Sequence, residues 1–361
     1  MKNARIVGLG GHLPGRAIPN SAIAEVAGTL PDDVLDGLQV QTRHWVADLN
    51  TGEHAESNSE MAAAAAQAAL TSAGLEARDV DLLVVSTSSP EYHLPPTATQ
   101  VQDRLAISNC TVLDVRSGCA GAVQGLDVAR MYVERGDHRT ALVIGSEVVS
   151  PLLVPIYQGR DPESVRMRDR IAVYAFGDGA GAMVVQATGD GPSAFLGSAA
   201  ACVGGGRKPG MLVVGGGTHA PIAAQLQAPR FPELRLDVVE SARYTPHVLT
   251  EALTAILGAC GLTASQVDAC VVPEGNAGYL LQELEQANQL TDDWRALAGK
   301  IHENLADVGA TGSAAVPLAL DAAWRAGEIV PGQTVILLAL ETSKWMHASV
   351  AVTWFAPAPQ V

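Results

Sequence analysis

The chain has 361 residues, of which 48% are hydrophobic and 17% charged, with 36 glycines and a formal net charge of −15 at pH 7. That length suits two domains or two fused halves around a large core, and the composition excludes a disordered chain. The acidic balance argues against a nucleic-acid partner, because phosphate binding needs a basic surface.

Aromatic residues are only 4%, so the core must be built from Ala, Val and Leu, which suits close packing of helices on sheets. Met1 to Arg5 lead straight into a strand-like segment, without the apolar stretch and cleavage site of a signal peptide. No uninterrupted apolar run approaches the roughly 18 residues that a membrane span needs. Cys110, Cys119, Cys202, Cys260 and Cys270 are scattered and form no CxxC pair, so neither a metal site nor a disulfide framework is expected. The expectation is a cytoplasmic protein with no membrane partner.

Along the chain, Met61 to Gly74 reads as a helix ended by glycine, and Asp81 to Ser86 as a buried strand. Thr111 to Val115 reads as a second strand. A helix then starts near Gly118 and runs to about Arg135, with Gly136 as its stop. Further strands are expected at Ala141 to Ile144 and Ala182 to Val185. Alternating helices and short Val/Leu runs predict α/β layering. Gly189 to Pro232, with its triplets Gly204-Gly205-Gly206 and Gly215-Gly216-Gly217, reads as an irregular linker or cap.

The chain also repeats itself. Gly74-Leu75, Val80-Asp81 and Val84-Val85 recur as Gly261-Leu262, Val267-Asp268 and Val271-Val272, at a constant offset (261 − 74 = 187). A weaker echo relates Leu126-Asp127 to Leu320-Asp321. Duplicated α/β halves follow, with residues 1–188 as the N-terminal half, 189–232 as the linker and 233–361 as the C-terminal half. Similar helix–strand units arising independently are the competing explanation.

The sharpest local feature is Asp114-Val115-Arg116-Ser117-Gly118-Cys119-Ala120-Gly121-Ala122. A strand ends, small residues turn the chain, and a helix begins at or just after Cys119. A thiol at a helix N-terminus is favoured as thiolate by the macrodipole and the unpaired N–H groups. Flanking glycines allow close approach of a substrate, and the Cys119 N–H is available to an oxyanion. A thiol packed as a small hydrophobe is the alternative, and it is kept for the other four cysteines.

Ser117 to Gly121, Ala141 to Glu147, Asp169-Arg170 and Phe176-Gly177-Asp178-Gly179-Ala180-Gly181-Ala182 together resemble β-ketoacyl-ACP synthase III. Gly309-Ala310-Thr311-Gly312-Ser313-Ala314-Ala315 is similar to that family's Gly-Asn-Thr-Ser-Ala-Ala motif. The match runs in order from Gly8-Leu9-Gly10, which also mimics a phosphate loop although Pro14 spoils the helix that should follow. The resemblance implies a thiolase fold, five αβαβα layers from two duplicated halves. It also implies a homodimer and a Cys119 nucleophile loaded from acyl-CoA or an acyl carrier protein, with no permanently bound cofactor. Arg170 stands where the family arginine flanks the CoA adenine; a surface ion pair is its plain alternative.

The departures are informative. The family's Pro-His-Gln-Ala-Asn motif is matched here by Pro273-Glu274-Gly275-Asn276, and Ala310 replaces the Asn of Gly-Asn-Thr-Ser. Both polar donors for the enolate of a decarboxylating malonyl thioester are gone, and a carboxylate at Glu274 opposes enolate formation. The C-terminal glycine-rich turn is replaced by Glu341-Thr342-Ser343-Lys344-Trp345, which remodels an oxyanion donor and a pocket wall. His302 precedes the Gly309 motif, and Asp307 lies five residues on. The chain resembles acyltransferases of polyketide antibiotic pathways, including the malonyltransferase of cervimycin sugar decoration. Their displaced nucleophile–His–Asp set implies His302 as base and Asp307 as its orienting carboxylate, with Glu274 the rival partner.

The expected activity is therefore cysteine-dependent transfer of an acyl group, a malonyl-type group among the candidates, to a hydroxyl or amine of a small-molecule acceptor. A decarboxylating starter-unit ketosynthase and a non-catalytic subunit of a synthase complex are the alternatives. Release of carbon dioxide and acylation of Cys119 separate the three.

Overall fold

The computed structural model describes residues 3–189 and 194–356. Met1 and Lys2 of the expected leading segment and residues 190–193 of the expected linker lie outside the described residues. Strands of the first half are β1 (Asn3–His12), β2 (Ile18–Pro19), β3 (Thr42–Arg43), β4 (Leu82–Ser86), β5 (Thr111–Val115), β6 (Thr140–Glu147) and β7 (Gly179–Thr188). They continue as β8 (Phe195–Cys202), β9 (Met211–Val214), β10 (Glu233–Leu236), β11 (Ala269–Val271), β12 (Ile301–His302), β13 (Thr334–Glu341) and β14 (Met346–Thr353).

Two five-stranded sheets carry the fold, in the orders β1-β7-β6-β4-β5 and β8-β14-β13-β11-β12. Each has two parallel ladders, β4 with β5 and β6 in one and β11 with β12 and β13 in the other, followed by two antiparallel ladders. One connectivity has therefore been used twice. Helix Asn58–Ala73 ends at Gly74 with φ +65°, and helix Val238–Cys260 ends at Gly261 with φ +63°. A one-turn helix follows each, Ala77–Asp79 and Ala264–Gln266, at the same offset (264 − 77 = 187).

Helices Gly121–Arg135 and Ala315–Arg325 lie between the two sheets, where Leu126, Ala129, Leu320 and Trp324 share one buried cluster with strand residues of both. Helix Asn58–Ala73 covers the far face of the first sheet and helix Val238–Cys260 that of the second. These are the five layers of a thiolase fold. Aromatics are few but deeply used: Trp294, Trp324, Trp345 and Trp354 are fully buried. Trp324 meets Trp354 edge-on with centroids 6.5 Å apart, and truncating either to Ala should cost about 3–5 kcal/mol.

Gly8-Leu9-Gly10 binds no phosphate turn: it lies inside β1. A Cβ on Gly10 would fall 2.3 Å from the Ala69 backbone nitrogen, so glycine here lets the Ala-rich helix rest on the strand. The same reason extends β6 and β7 past the lengths read from Val/Leu runs. A Cβ on Gly145 would lie 2.0 Å from the Ser313 carbonyl oxygen, and one on Gly181 would lie 2.9 Å from the Leu318 nitrogen.

The stretch expected to be an irregular linker holds regular structure. β8 is the edge strand of the second sheet, paired with β14, and β9 pairs with β10 in a hairpin. Phe-Leu-Gly-Ser-Ala-Ala-Ala-Cys has small residues and no strong alternation, so its strand state comes from pairing with β14 rather than from local preference.

Candidate active site

Cys119 sits in the one-turn helix Gly118–Ala120 that opens onto helix Gly121–Arg135, at the C-terminal end of β5. Gly118 has φ +53°, a left-handed conformation that favours glycine. The Ser313 hydroxyl donates to the Gly118 carbonyl at 2.6 Å and meets the Ser86 hydroxyl at 3.0 Å. The turn bearing Cys119 and the equivalent turn of the second half, Gly312–Ala314, are thereby locked together.

Glu341, the last residue of β13, reaches this turn and is 1% exposed. Its Oε2 accepts from the Cys119 N–H at 2.5 Å and its Oε1 from the Ser343 N–H at 2.5 Å. A Cβ on Gly118 would lie 1.7 Å from that Oε2. A carboxylate thus occupies the N–H that sequence reasoning reserved for an oxyanion.

The electrostatics follow from that arrangement. Burial first, and then the charges of Glu341, Glu274 and Glu147, push the Cys119 thiol well above its ordinary range. The helix terminus does not prevail, because three carboxylates and desolvation oppose the thiolate. Glu147 is itself raised, chiefly by burial, yet it is well held by donation from Ser88 N–H at 2.9 Å and the Ser89 hydroxyl at 2.5 Å. Glu274 is different. Burial, and then the charge of Glu341, raise it to about 8, and no described protein group donates a hydrogen bond to its carboxylate.

Of the predicted site residues, Cys119 and Glu274 line one cavity of about 340 Å³, beside Ala310 and Thr311. His302 is not brought to them. It lies on β12, the edge strand of the second sheet, and its Nδ1 pairs with the Glu328 carboxylate at 3.0 Å. Asp307 is exposed in the turn Leu305–Val308, and its backbone carbonyl accepts from the Thr42 hydroxyl at 2.6 Å. The expected His302–Asp307 pair therefore does not form: the His302 ring is engaged by Glu328, Asp307 is exposed, and neither lines the cavity. Arg170 is 8% exposed and is spent on the chain itself, donating to the carbonyls of Thr29, Pro162 and Glu163 at 2.8, 3.1 and 3.0 Å. It ties two loops rather than presenting a free guanidinium.

Asp178 of the Phe-Gly-Asp-Gly motif is fully buried and accepts from the N–H groups of Val46, Val149 and Ser150. That motif organises loops around the cavity. Sequence reasoning missed Glu147 and the wall formed by Tyr279 and Glu283. The signal for Glu341 was present, a carboxylate in place of a glycine turn, without any indication that it would reach back 222 positions to Cys119.

Residues 113–204 match the family model for 3-oxoacyl-[acyl-carrier-protein (ACP)] synthase III, and residues 257–354 match its C-terminal model. The chain is similar to acetoacetyl CoA synthase NphT7 of Streptomyces sp. (strain CL190), with 31% identity covering 92% of this chain and 93% of that protein. It is 28% identical to beta-ketoacyl-[acyl-carrier-protein] synthase III of Caldanaerobacter subterraneus subsp. tengcongensis, over 97% of this chain and 98% of the relative. Among solved structures, the tetronic acid condensing enzyme AbyA1 superposes with a TM-score of 0.79 at 27% identity, covering 97% of this chain and 99% of that one.

Proposed function

This chain belongs to the 3-oxoacyl-[acyl-carrier-protein] synthase III family of enzymes, and from that membership we propose that it transfers acyl groups through a Cys119 thioester without decarboxylation. The donor is acyl-CoA or an acyl carrier protein, and the acceptor a hydroxyl or amine of a small molecule in a polyketide or fatty-acid pathway. The observation that carries this reading is the wall facing Cys119, where Glu274 and Ala310 stand and no imidazole or carboxamide is present among the cavity-lining residues.

In the loading step the Cys119 sulfur attacks the donor's thioester carbonyl. Its proton passes to the Glu274 carboxylate, the new C–S bond forms, and the old one breaks as Glu274 hands that proton to the leaving pantetheine sulfur and is a carboxylate again. In the transfer step the acceptor's N–H or O–H attacks the acyl-Cys119 carbonyl. Glu274 takes the acceptor's proton and the thiol is restored. A carboxyl raised to about 8 suits both steps, since a base titrating near the working pH is the most effective. Glu341 must turn away from the Cys119 N–H before the thioester oxygen can bind there. His302 takes no part in this scheme.

A second reading, decarboxylative carbon–carbon bond formation, is favoured by one observation. With its carboxyl raised to about 8, Glu274 carries its proton at neutral pH and can donate to an enolate; the relatives are also named as synthases or a condensing enzyme. Purified enzyme given malonyl-CoA and butyryl-CoA decides between them. A butyryl mass shift on Cys119 without release of carbon dioxide supports transfer; stoichiometric release of carbon dioxide supports condensation.

A homodimer completes the proposal. β5 is an edge strand of the first sheet with exposed Thr111 and Asp114, and Tyr92 and Leu94 project nearby with 61% and 81% exposure.

A further inference from the structure

The Cys119 cavity is lined mainly by apolar side chains, among them Leu38, Ile171, Phe176, Met211 and Leu249. Its only charged lining residues are Glu274 and Glu283; no Lys, Arg or His lines it. Neither of these two carboxylates receives a hydrogen bond or ion pair from a described protein group. Both are partly buried, and Tyr279, whose hydroxyl is raised to about 12 by burial and then by the charges of Glu283 and Glu274, stands within the field of both. Behind the thiol, Glu341 and Glu147 add to the same sign of potential.

A carboxylate that lines an apolar cavity without a protein partner is a group that a cationic or N–H-bearing ligand can pair with. A ligand that places an ammonium against Glu283 and an N–H against Glu274 satisfies both. A ligand that brings a carboxylate adds an unpaired anion to a cavity already lined by two carboxyl groups, at a cost that the cavity has no cation to offset. From the unpartnered Glu274 and Glu283 in a cavity without cations we infer that the enzyme takes an uncharged acyl group and an amine acceptor, and rejects acyl groups that end in a carboxylate. The inference rests on the acyl-Cys119 reading and narrows it: malonyl-type donors, allowed by resemblance, are disfavoured by the charge of the site. In the transfer step the ammonium is attracted as a cation and loses one proton to solvent to become the free amine. The amine nitrogen then attacks the acyl-Cys119 carbonyl, its second proton passes to Glu274, and the amide leaves as the Cys119 sulfur recovers a proton.

The donor arm compares butyryl-CoA with succinyl-CoA, which have the same four-carbon acyl length and differ by a terminal carboxylate. Loading is followed by intact mass on the full-length protein. Butyryl loading should be faster by about tenfold or more, in line with the cost of burying an unpaired charge. Glu283→Gln, a change away from the thiol, should narrow the ratio. Equal loading, or a preference for succinyl, overturns the inference. Loading of neither on wild type removes the acyl-Cys119 premise itself, a distinct failure. The acceptor arm treats butyryl-enzyme with n-hexylamine or n-hexanol, using butyryl-pantetheine in solution as the background. The amine should be favoured beyond that background, and Glu283→Gln should raise its half-saturating concentration by a larger factor than that of hexanol. An amine advantage no larger than that of free butyryl-pantetheine also overturns the inference.

Discussion

The Glu341 carboxylate accepts a hydrogen bond from the backbone N–H of Cys119 at 2.5 Å, so an internal carboxylate occupies the N–H that the proposed reaction assigns to a thioester oxygen. The same carboxylate is the second cause, after burial, of the raised thiol pKa. Glu341→Gln keeps the shape and removes the charge. Its expected outcome is a fall in the Cys119 titration midpoint, and hence faster alkylation by iodoacetamide at pH 8. An unchanged pH profile of alkylation would falsify the electrostatic role of Glu341.

Cys119→Ala should abolish the acyl-enzyme while leaving the fold intact. The side chain is half-buried at a cavity wall, and alanine creates only a small additional void, with an expected change in stability of about 1 kcal/mol. Intact mass after incubation with butyryl-CoA checks the first part, and thermal unfolding the second. A mass shift retained in the variant moves the nucleophile to another residue.

His302 and Glu274 should separate cleanly. Because His302 is paired with Glu328 outside the cavity, His302→Ala and Asp307→Asn are expected to leave the transfer rate within about threefold of wild type. Glu274→Gln should lower it by roughly 10²–10⁴, the range for loss of a general base. Steady-state transfer with donor loading measured separately gives the answer, and a reversed ranking would return the base to His302.

Glu274 also links stability to pH. Its folded pKa of about 8 lies above its ordinary 4.5, so the folded state holds a proton that the unfolded state has lost. Stability then falls as pH rises from about 4.5 to 8, and the penalty is fully present above that window. Glu274→Gln should therefore be more stable than wild type at pH 9, by an amount on the order of 5 kcal/mol for the rise from 4.5 to about 8 at about 1.4 kcal/mol per unit, and little different near pH 4. Urea unfolding at the two pH values tests it; equal curves for both proteins at pH 9 would remove the burial argument.

The exposed β5 edge and the Tyr92–Leu94 projection lead to the expectation of a stable dimer at micromolar concentration. Sedimentation equilibrium measures it, with Leu94→Asp expected to shift the equilibrium toward monomer by at least about tenfold if this side chain packs in the partner.

The sequence by itself determined the α/β alternation, the repeated helix–strand unit and the turn that bears Cys119. Gly74 and Gly261 end equivalent helices at one offset, Thr111 to Val115 is a strand as read, and the helix after Cys119 stops at Gly136. Those features are local: periodicity, a left-handed glycine, a run of small residues. What surrounds Cys119 was decided by tertiary structure. Glu341 and Glu147 arrive at the ends of β13 and β6, and strand order across two sheets, not spacing, brings them to one thiol. His302 is close in sequence to the Gly309 motif yet belongs to a sheet edge, because two residues of strand pairing with β11 fix it there. β8 was illegible for the same reason, since its small residues carry no signal until β14 supplies the hydrogen bonds. A helix terminus can be read from seven residues. The sign of the potential acting on it depends on charges from distant segments, and only the folded chain puts them within range of one another.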